Sequence, residues 1–386
     1  MSIKNFIYHA PTKIVFGEGM IAELSHLIPK NAKVMVTYGG GSIKKNGVYE
    51  QVMTALKDFD VIEFGGIEPN PHYETCMKAV ELAKSHKIDF LLAVGGGSVL
   101  DGTKFIAAAY YHTATPDPWD IIAKGTPVEK MIPIGCVLTL PATGSEMNGN
   151  AVLTRVSTNE KLYFETVLAC PQFSILDPRT TMSLSTRQTI NGIVDTFTHV
   201  SEQYMTDDGA PLQDRQAEAI YAVLLEDGPR VLQEPNNYEA RANLMWAATH
   251  GLNKMIACGV NQDWLTHMIG HEITAFYGLD HGQTLAIVLP AVWEYRRSLK
   301  AKKLAQYAQR LLGATGTQDA LIDTTIRETR RFFESLGAKT HLSDYGVDAT
   351  ECANRIRERF STRGVRFGED GRIMGDDIPA ILNLSK

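Results

Sequence analysis

Up to about residue 180, hydrophobic positions gather in short runs rich in Val and Ile, at 13–16, 33–38, 61–64, 90–94, 132–140 and 173–176. Between the runs the spacing becomes helical. Val48, Val52 and Leu56 recur at four-residue steps, and Tyr73, Met77, Val80 and Ala83 keep to one helical face. Strand–helix alternation of this kind predicts a mostly parallel sheet covered by helices, with ligands held at the carboxyl ends of its strands. Past Ser185 the strand-like runs nearly vanish. Helical periodicity takes over at 242–254, 304–312 and 321–336. The pattern predicts an α/β N-terminal domain over 1–183 and an all-helical C-terminal domain over 184–386. The division falls where Pro178 and several Ser and Thr residues interrupt both textures.

Length agrees with that division, because 386 residues suit two domains of ordinary size. With 44% hydrophobic and 21% charged residues, the composition is that of a globular protein and excludes a disordered chain, a collagen and a coiled coil. The net charge of −6 argues against a nucleic-acid partner. Arg355, Arg357, Arg359, Arg363 and Arg366 do cluster, but Glu351 and Glu358 sit among them, as on a solvated helix face. The five cysteines have no Cys-x-x-Cys pair, so neither a disulfide framework nor a thiolate zinc site is expected. Residues 1–19 carry no apolar segment of the signal type, and no apolar run is long enough for a membrane span. A cytoplasmic protein without a membrane partner is the expectation.

Two glycine-rich turns fall where phosphates bind. Gly39, Gly40, Gly41 and Ser42 follow one predicted strand, and Gly95, Gly96, Gly97 and Ser98 follow another. Glycine lets the backbone approach an anion, and the helix that follows offers free N–H donors. Tight turns also need glycine for steric reasons alone, so one turn says little. Two of them, each between a strand and a helix, point to a dinucleotide on a Rossmann-like domain. Neither turn is Gly-x-Gly-x-x-Gly, the usual fingerprint. NAD sites often place an acid against the ribose 2′-hydroxyl. The first turn has none, and Ser42, Lys44 and Lys45 beside it tolerate a 2′-phosphate unless both lysines point to solvent. NADP(H) is therefore expected.

The helical half carries a metal pattern. Asp195 and His199 stand four apart, as do His267 and His271, and His281 follows ten residues on. Positions i and i+4 share a helix face. Any one of these histidines could be a hydrogen-bonded core residue, but the joint spacing points to an ion. Nitrogen and oxygen donors of this kind suit Zn²⁺ or Fe²⁺. The acid at Glu272 lies outside the His267–His271 pair, so this is not the metalloprotease motif. Trp264, Phe197 and Met147 are candidates for an apolar pocket or for plain core.

Together, Gly-Gly-Gly-Ser-x-x-Asp-x-x-Lys at 95–104, Asp195-x3-His199 and His267-x3-His271-x9-His281 resemble the iron-containing (group III) alcohol dehydrogenases. The likeness runs from Tyr8 to Trp293 and more weakly to the end. The runs 64–71, 138–146 and 278–282 resemble the NADPH-dependent butanol dehydrogenases and aldehyde reductases of that family. The resemblance implies that Asp195, His199, His267 and His281 hold the metal. His271 matches a residue near the nicotinamide that relays protons. Gly96, Gly97 and Ser98 match pyrophosphate contacts. Thr139, Thr143, Asn150 and Lys161 match residues that hold the cofactor, and Asn70 matches one near the adenosine. Gly40, Gly41 and Ser42 stand where the family separates 2′-hydroxyl from 2′-phosphate. Leu140 departs from the hydroxyl residue of many relatives, which puts one cofactor contact in doubt. The implied activity is interconversion of alcohols and aldehydes by hydride transfer, with aldehyde reduction as the working direction and a homodimer as the assembly.

Three rival readings differ in chemistry. A dehydroquinate-synthase-like lyase using NAD and zinc would want basic residues around its metal, and 262–282 contains no Lys or Arg. A glycerol-dehydrogenase-like enzyme using NAD would want an acid at the first turn. A non-catalytic nucleotide-binding protein has no reason to keep four ligands at these spacings.

Overall fold

Strand residues in the first half form continuous apolar runs because both faces of the sheet are covered. The computed structural model describes residues 3–206 and 209–386. Its α/β unit comprises His9–Ser185 and Asn236–Thr249. Strands β1 (Lys13–Phe16), β2 (Lys33–Tyr38), β3 (Asp60–Phe64), β4 (Phe90–Gly96) and β5 (Ile134–Leu140) lead to β6 (Asn150–Arg155), β7 (Glu160–Glu165) and β8 (Phe173–Leu176). Six of them form one sheet in the order β1-β8-β5-β4-β2-β3, every pair parallel. Along β4 the side chains alternate between two cores. Leu91 and Ala93 pack with Met35, Cys136 and Leu138 on one face. Phe90, Leu92 and Val94 pack with Val34, Val36 and Val137 on the other. The covering helices are α1 (Leu24–Leu27), α2 (Val48–Ala55), α3 (Tyr73–His86), α4 (Gly97–Tyr110) and α5 (Asp120–Ala123).

The sheet order reverses at its centre. From β2 the chain steps outward to β3, then returns to place β4 on the other side of β2. The carboxyl ends of β2 and β4 are therefore neighbours at the point where open α/β sheets leave a crevice. Strands β6 and β7 form a separate antiparallel hairpin that the apolar pattern does not reveal. β6 buries only Ala151 and Leu153, so it lacks the continuous run that marks the sheet strands.

The helical unit comprises the first residues to Tyr8, Thr186–Pro235 and His250–Lys386. It begins with α6 (Thr186–Tyr204) and α7 (Pro211–Gln233). The next helix, α8 (Tyr238–Gly251), lies past the expected division at 183/184, yet its residues through Thr249 pack with the α/β unit. Met245 joins the core on the Leu91 face, and the Trp246 ring meets Phe16 edge-on at 5.8 Å. The remaining helices are α9 (Leu265–Tyr277), α10 (His281–Tyr295), α11 (Arg297–Leu311), α12 (Gln318–Leu336), α13 (Ala349–Arg363) and α14 (Ile378–Leu382). Helix α6 is buried along nearly its whole length. Its hydroxyls stay satisfied by donating one turn back: Thr196 to Gly192, Thr198 to Val194 and Ser201 to Phe197, each at 2.8 Å. Phe197 is core, ringed by Tyr221, Tyr307, Phe332 and Phe333, so it does not line a pocket.

Candidate active site

The α/β unit brings together the residues expected to hold a dinucleotide. Gly97 opens α4, and a Cβ there would stand 2.5 Å from the Thr143 side chain. Only glycine lets the loop after β5 lie against this helix start. Gly41 adopts φ +89°, a left-handed conformation that explains the third glycine of the first turn. Gly40 is different: it is exposed, and its Cβ position faces open space. A Cβ on Gly39 would meet Ile67 O at 3.2 Å and Val99 of α4 at 3.7 Å, so the turn after β2 lies beside the start of α4.

Hydrogen bonds connect the other expected residues. The Asn70 backbone N–H donates to Ser98 Oγ at 3.3 Å, and Lys161 Nζ donates to Asn70 Oδ1 at 2.8 Å. Asn70 itself sits at φ +55°, which Asn tolerates better than most residues. Thr139 is buried at the end of β5, and Leu140 beside it packs against Gly96. Asn150 Oδ1 is buried with no hydrogen-bond partner among the described residues, a polar atom left for a ligand.

The roles of two features escaped the sequence reading. Lys104 is fully buried and donates to Ser145 Oγ at 2.7 Å, Asn148 O at 2.9 Å and Asn150 O at 2.8 Å. Ser145 Oγ in turn donates to Asp101 Oδ1 at 2.7 Å. Burial lowers the Lys104 pKa to about 8 despite the attraction of Asp101. This pair pins the 143–150 loop to α4, which explains the Asp and Lys in the second turn's motif. The other feature is an acid near the first turn, supplied by β3. Glu63 accepts from Tyr49 at 2.6 Å, and from Tyr38 and Lys44 at 2.9 Å each. Burial would raise the Glu63 pKa, but these bonds hold it below the usual value. Lys44 is therefore paired with Glu63 instead of standing free beside the turn.

The helical unit assembles the metal candidates. Asp195 and His199 project from α6, His267 from α9, and His281 is the first residue of α10. Asp195 Oδ1 lies 3.5 Å from His199 Nε2 and 3.6 Å from Nε2 of both His267 and His281. Edges of that length are what donors ~2.1–2.2 Å from a common centre present in a tetrahedral set. The ligand atoms of Asp195, His267 and His281 all lie within 4.8 Å of one another, and His199 joins through Asp195. His267 Nε2 is buried with no hydrogen-bond partner among the described residues. A buried carboxylate, three imidazoles and a bare ring nitrogen fit a divalent cation, and no Cys enters the set.

Local sequence explains the placement. Helix α9 ends at Gly278, left-handed at φ +71°, whose N–H bonds Thr274 O at 2.8 Å. Asp280 then caps α10 in a capping box with Gln283 and accepts from Asn191 of α6 at 2.8 Å. A Cβ on Gly282 would stand 2.7 Å from Asn191, so glycine lets α10 begin against α6. His271 is buried one turn after His267, its ring centroid 6.2 Å from that of His267 and 5.1 Å from that of His281. Trp264 flanks the group, with its ring 5.3 Å from His267.

Glu202 is the functional candidate that sequence reasoning missed in this unit. It lies on α6 and contacts His267 Nδ1 through Oε2. Its position seven residues after Asp195 and three after His199 on one helix was a signal available in the sequence. The two carboxylates raise the His267 pKa: burial would lower it, and Glu202 and Asp195 outweigh that effect to bring it to about 9.

Comparison with known proteins bears on both units. Residues 11–178 match the family model for iron-containing alcohol dehydrogenases, and residues 189–384 match the model for the C-terminal part of the same family. The chain belongs to the iron-containing alcohol dehydrogenase family. It is 54% identical over 377 residues to the NADPH-dependent aldehyde reductase YqhD of Escherichia coli (strain K12), covering 97% of each protein. The crystal structure of that protein superposes with a TM-score of 0.98 at 52% identity over the whole of both chains. The NADP-dependent alcohol dehydrogenase 3 of Entamoeba histolytica is 43% identical, with 93% of this chain and 94% of that protein covered. A further family member of known structure, the NADH-dependent butanol dehydrogenase A of Thermotoga maritima, is 36% identical with a TM-score of 0.95, covering 100% of this chain and 99% of that one.

Proposed function

We propose that the protein is a metal-dependent NADP(H) oxidoreductase that interconverts aldehydes and alcohols by hydride transfer, working as an aldehyde reductase. One observation carries this reading: three imidazole nitrogens stand 3.5–3.6 Å from a single buried carboxylate oxygen, in a chain of this family. Asp195, His199, His267 and His281 hold Zn²⁺ or Fe²⁺. A divalent ion there would supply Lewis-acid stabilisation of the negative charge on a carbonyl oxygen, and NADP(H) would supply the hydride.

The chain's own residues do the rest. Gly96, Gly97 and Ser98 present backbone N–H groups at the start of α4 to the pyrophosphate. Asn150 offers its bare amide oxygen, Lys161 its Asn70-held ammonium, and Thr139 and Thr143 line the same edge. Asn70 serves the adenosine end. Gly40, Gly41 and Ser42 leave room for a 2′-phosphate, a reading supported by the NADP specificity named for the Escherichia coli and Entamoeba relatives. His271 supplies the proton to the nascent alkoxide. Cofactor residues occupy the α/β unit and metal residues the helical one. Among the described residues no helix is long and apolar enough to cross a membrane. Family membership also supports a homodimer in the cytoplasm, which sedimentation and cell fractionation check.

The test is oxidation of NADPH against NADH with butanal as acceptor, at defined Zn²⁺ or Fe²⁺. Faster turnover with NADPH that disappears with the metal is the expected result. Preference for NADH overturns the cofactor assignment.

A further inference from the structure

We propose that Glu202 is a positioning residue that fixes the ring tautomer of His267 and so makes its Nε2 available to the metal. The inference rests on the reading of Asp195, His199, His267 and His281 as ligands.

Both oxygens of Glu202 are committed, and they have different partners. Oε1 accepts the backbone N–H of Thr266 at 2.7 Å and of His267 at 3.3 Å. These are the second and third residues of α9, whose amides have no partner within the helix. Oε2 contacts His267 Nδ1. The residue is buried, so water does not compete for either oxygen. An ionised carboxylate only accepts, which places the proton on Nδ1. A neutral imidazole has one N–H, so Nε2 then keeps its lone pair. That nitrogen lies 3.6 Å from Asp195 Oδ1 and has no other hydrogen-bond partner among the described residues. Once neutral, the ring is thus held in the one tautomer that can ligate, and α9 is held at the height that presents it. Ligand histidines usually donate their second N–H to such a group.

A purely structural role predicts that Glu202 matters only as the cap of α9. Glu202→Gln separates the two roles. With its amide oxygen kept on Thr266 and His267 N–H, glutamine turns its NH₂ toward Nδ1. Nδ1 must then accept, and the ring proton moves to Nε2, where it blocks ligation.

Zn²⁺ is titrated into metal-free, full-length protein against a chromophoric chelator. Wild type takes up one ion per chain and Asp195→Ala takes up none. Glu202→Gln loses roughly 10–100-fold in Zn²⁺ affinity, while its metal-free thermal midpoint stays that of wild type. In zinc-loaded wild type, the ¹⁵N-histidine spectrum shows the His267 proton on Nδ1, a readout that needs no variant to fold. Wild-type Zn²⁺ affinity in Glu202→Gln, with or without a lowered midpoint, overturns the positioning role and leaves the ligand assignment standing. So does a His267 Nδ1 that carries no proton in the loaded wild type. A wild type that takes up no zinc overturns the ligand assignment, and the inference with it.

Discussion

Asp195 is a carboxylate on a helix buried along nearly its whole length, and its ion-pairing groups are imidazoles. Burying a carboxylate costs several kcal/mol unless charge and hydrogen bonds offset it. In the metal-free protein Glu202 and Asp195 favour a second proton on His267, whose pKa they raise to about 9 against the effect of burial. A metal must displace that proton. Below pH 9 each ion bound therefore releases a proton, and apparent affinity rises by about tenfold per pH unit until the ring is neutral. Above about pH 9 the dependence flattens. Calorimetric titration with Zn²⁺ at pH 7 in buffers of different ionisation enthalpy measures the release. His271 tests a different role. It lies beside His281 and is not one of the four proposed ligands, so His271→Ala is expected to keep its metal. The expected loss is roughly 10²–10⁴ in kcat, together with an inflection of the pH–rate profile. If His271 merely packs near the cofactor, KM for NADPH rises and the profile keeps its shape. Comparing kcat against pH at saturating NADPH decides between them.

At the scale of elements, the turn after β2 is the one proposed to set cofactor choice. Gly40 faces open space and has no left-handed φ, so an aspartate fits there without strain. Its charge would face the 2′-phosphate. Like charges in a partly desolvated site repel by about 4 kcal/mol at ~4 Å and an effective dielectric of ~20. Gly40→Asp is therefore expected to cut kcat/KM for NADPH far more than for NADH, and an unchanged ratio counts against the assignment. The Glu63–Lys44 pair is part-exposed and contributes little to stability. It does remove Lys44 from the role of a free cation that the sequence suggested. Sheet strands were legible because burial on both faces leaves unbroken Val and Ile runs. The β6–β7 hairpin was not, because its apolar stretches, 151–153 and 162–164, are too short to stand out. The proposed metal residues were legible through their joint spacing, Asp195 four before His199 and His267 followed by His271 and His281. Glu202 shares that face of α6, but a lone glutamate within a helix looks like a solvated one until its burial is known. Lys104 stood in the second turn's motif, but its role was hidden until its burial was known.

Across the whole molecule, the chemistry is divided by packing unit. Every dinucleotide candidate lies in the α/β unit and every metal candidate in the helical one. The connectivity is less simple than the change of texture suggests. Residues 236–249 leave the helical stretch to fill the α/β core with Met245, because a helix goes where its apolar face is buried. The helical unit has a large core of its own around Leu265, Ile287, Val288 and Ile356, so loss of one ligand should leave it folded. That separates metal from fold in the most direct measurement available. Zn²⁺ or Fe²⁺ is titrated into metal-free wild type and His281→Ala, and bound metal and NADPH oxidation with butanal are followed in the same samples. Wild-type turnover should climb from near zero and break at one ion per chain. His281→Ala should retain its circular dichroism and thermal midpoint, hold little metal and turn over almost nothing. Stoichiometric metal with wild-type kcat in His281→Ala, or full turnover by metal-free wild type, would contradict the account.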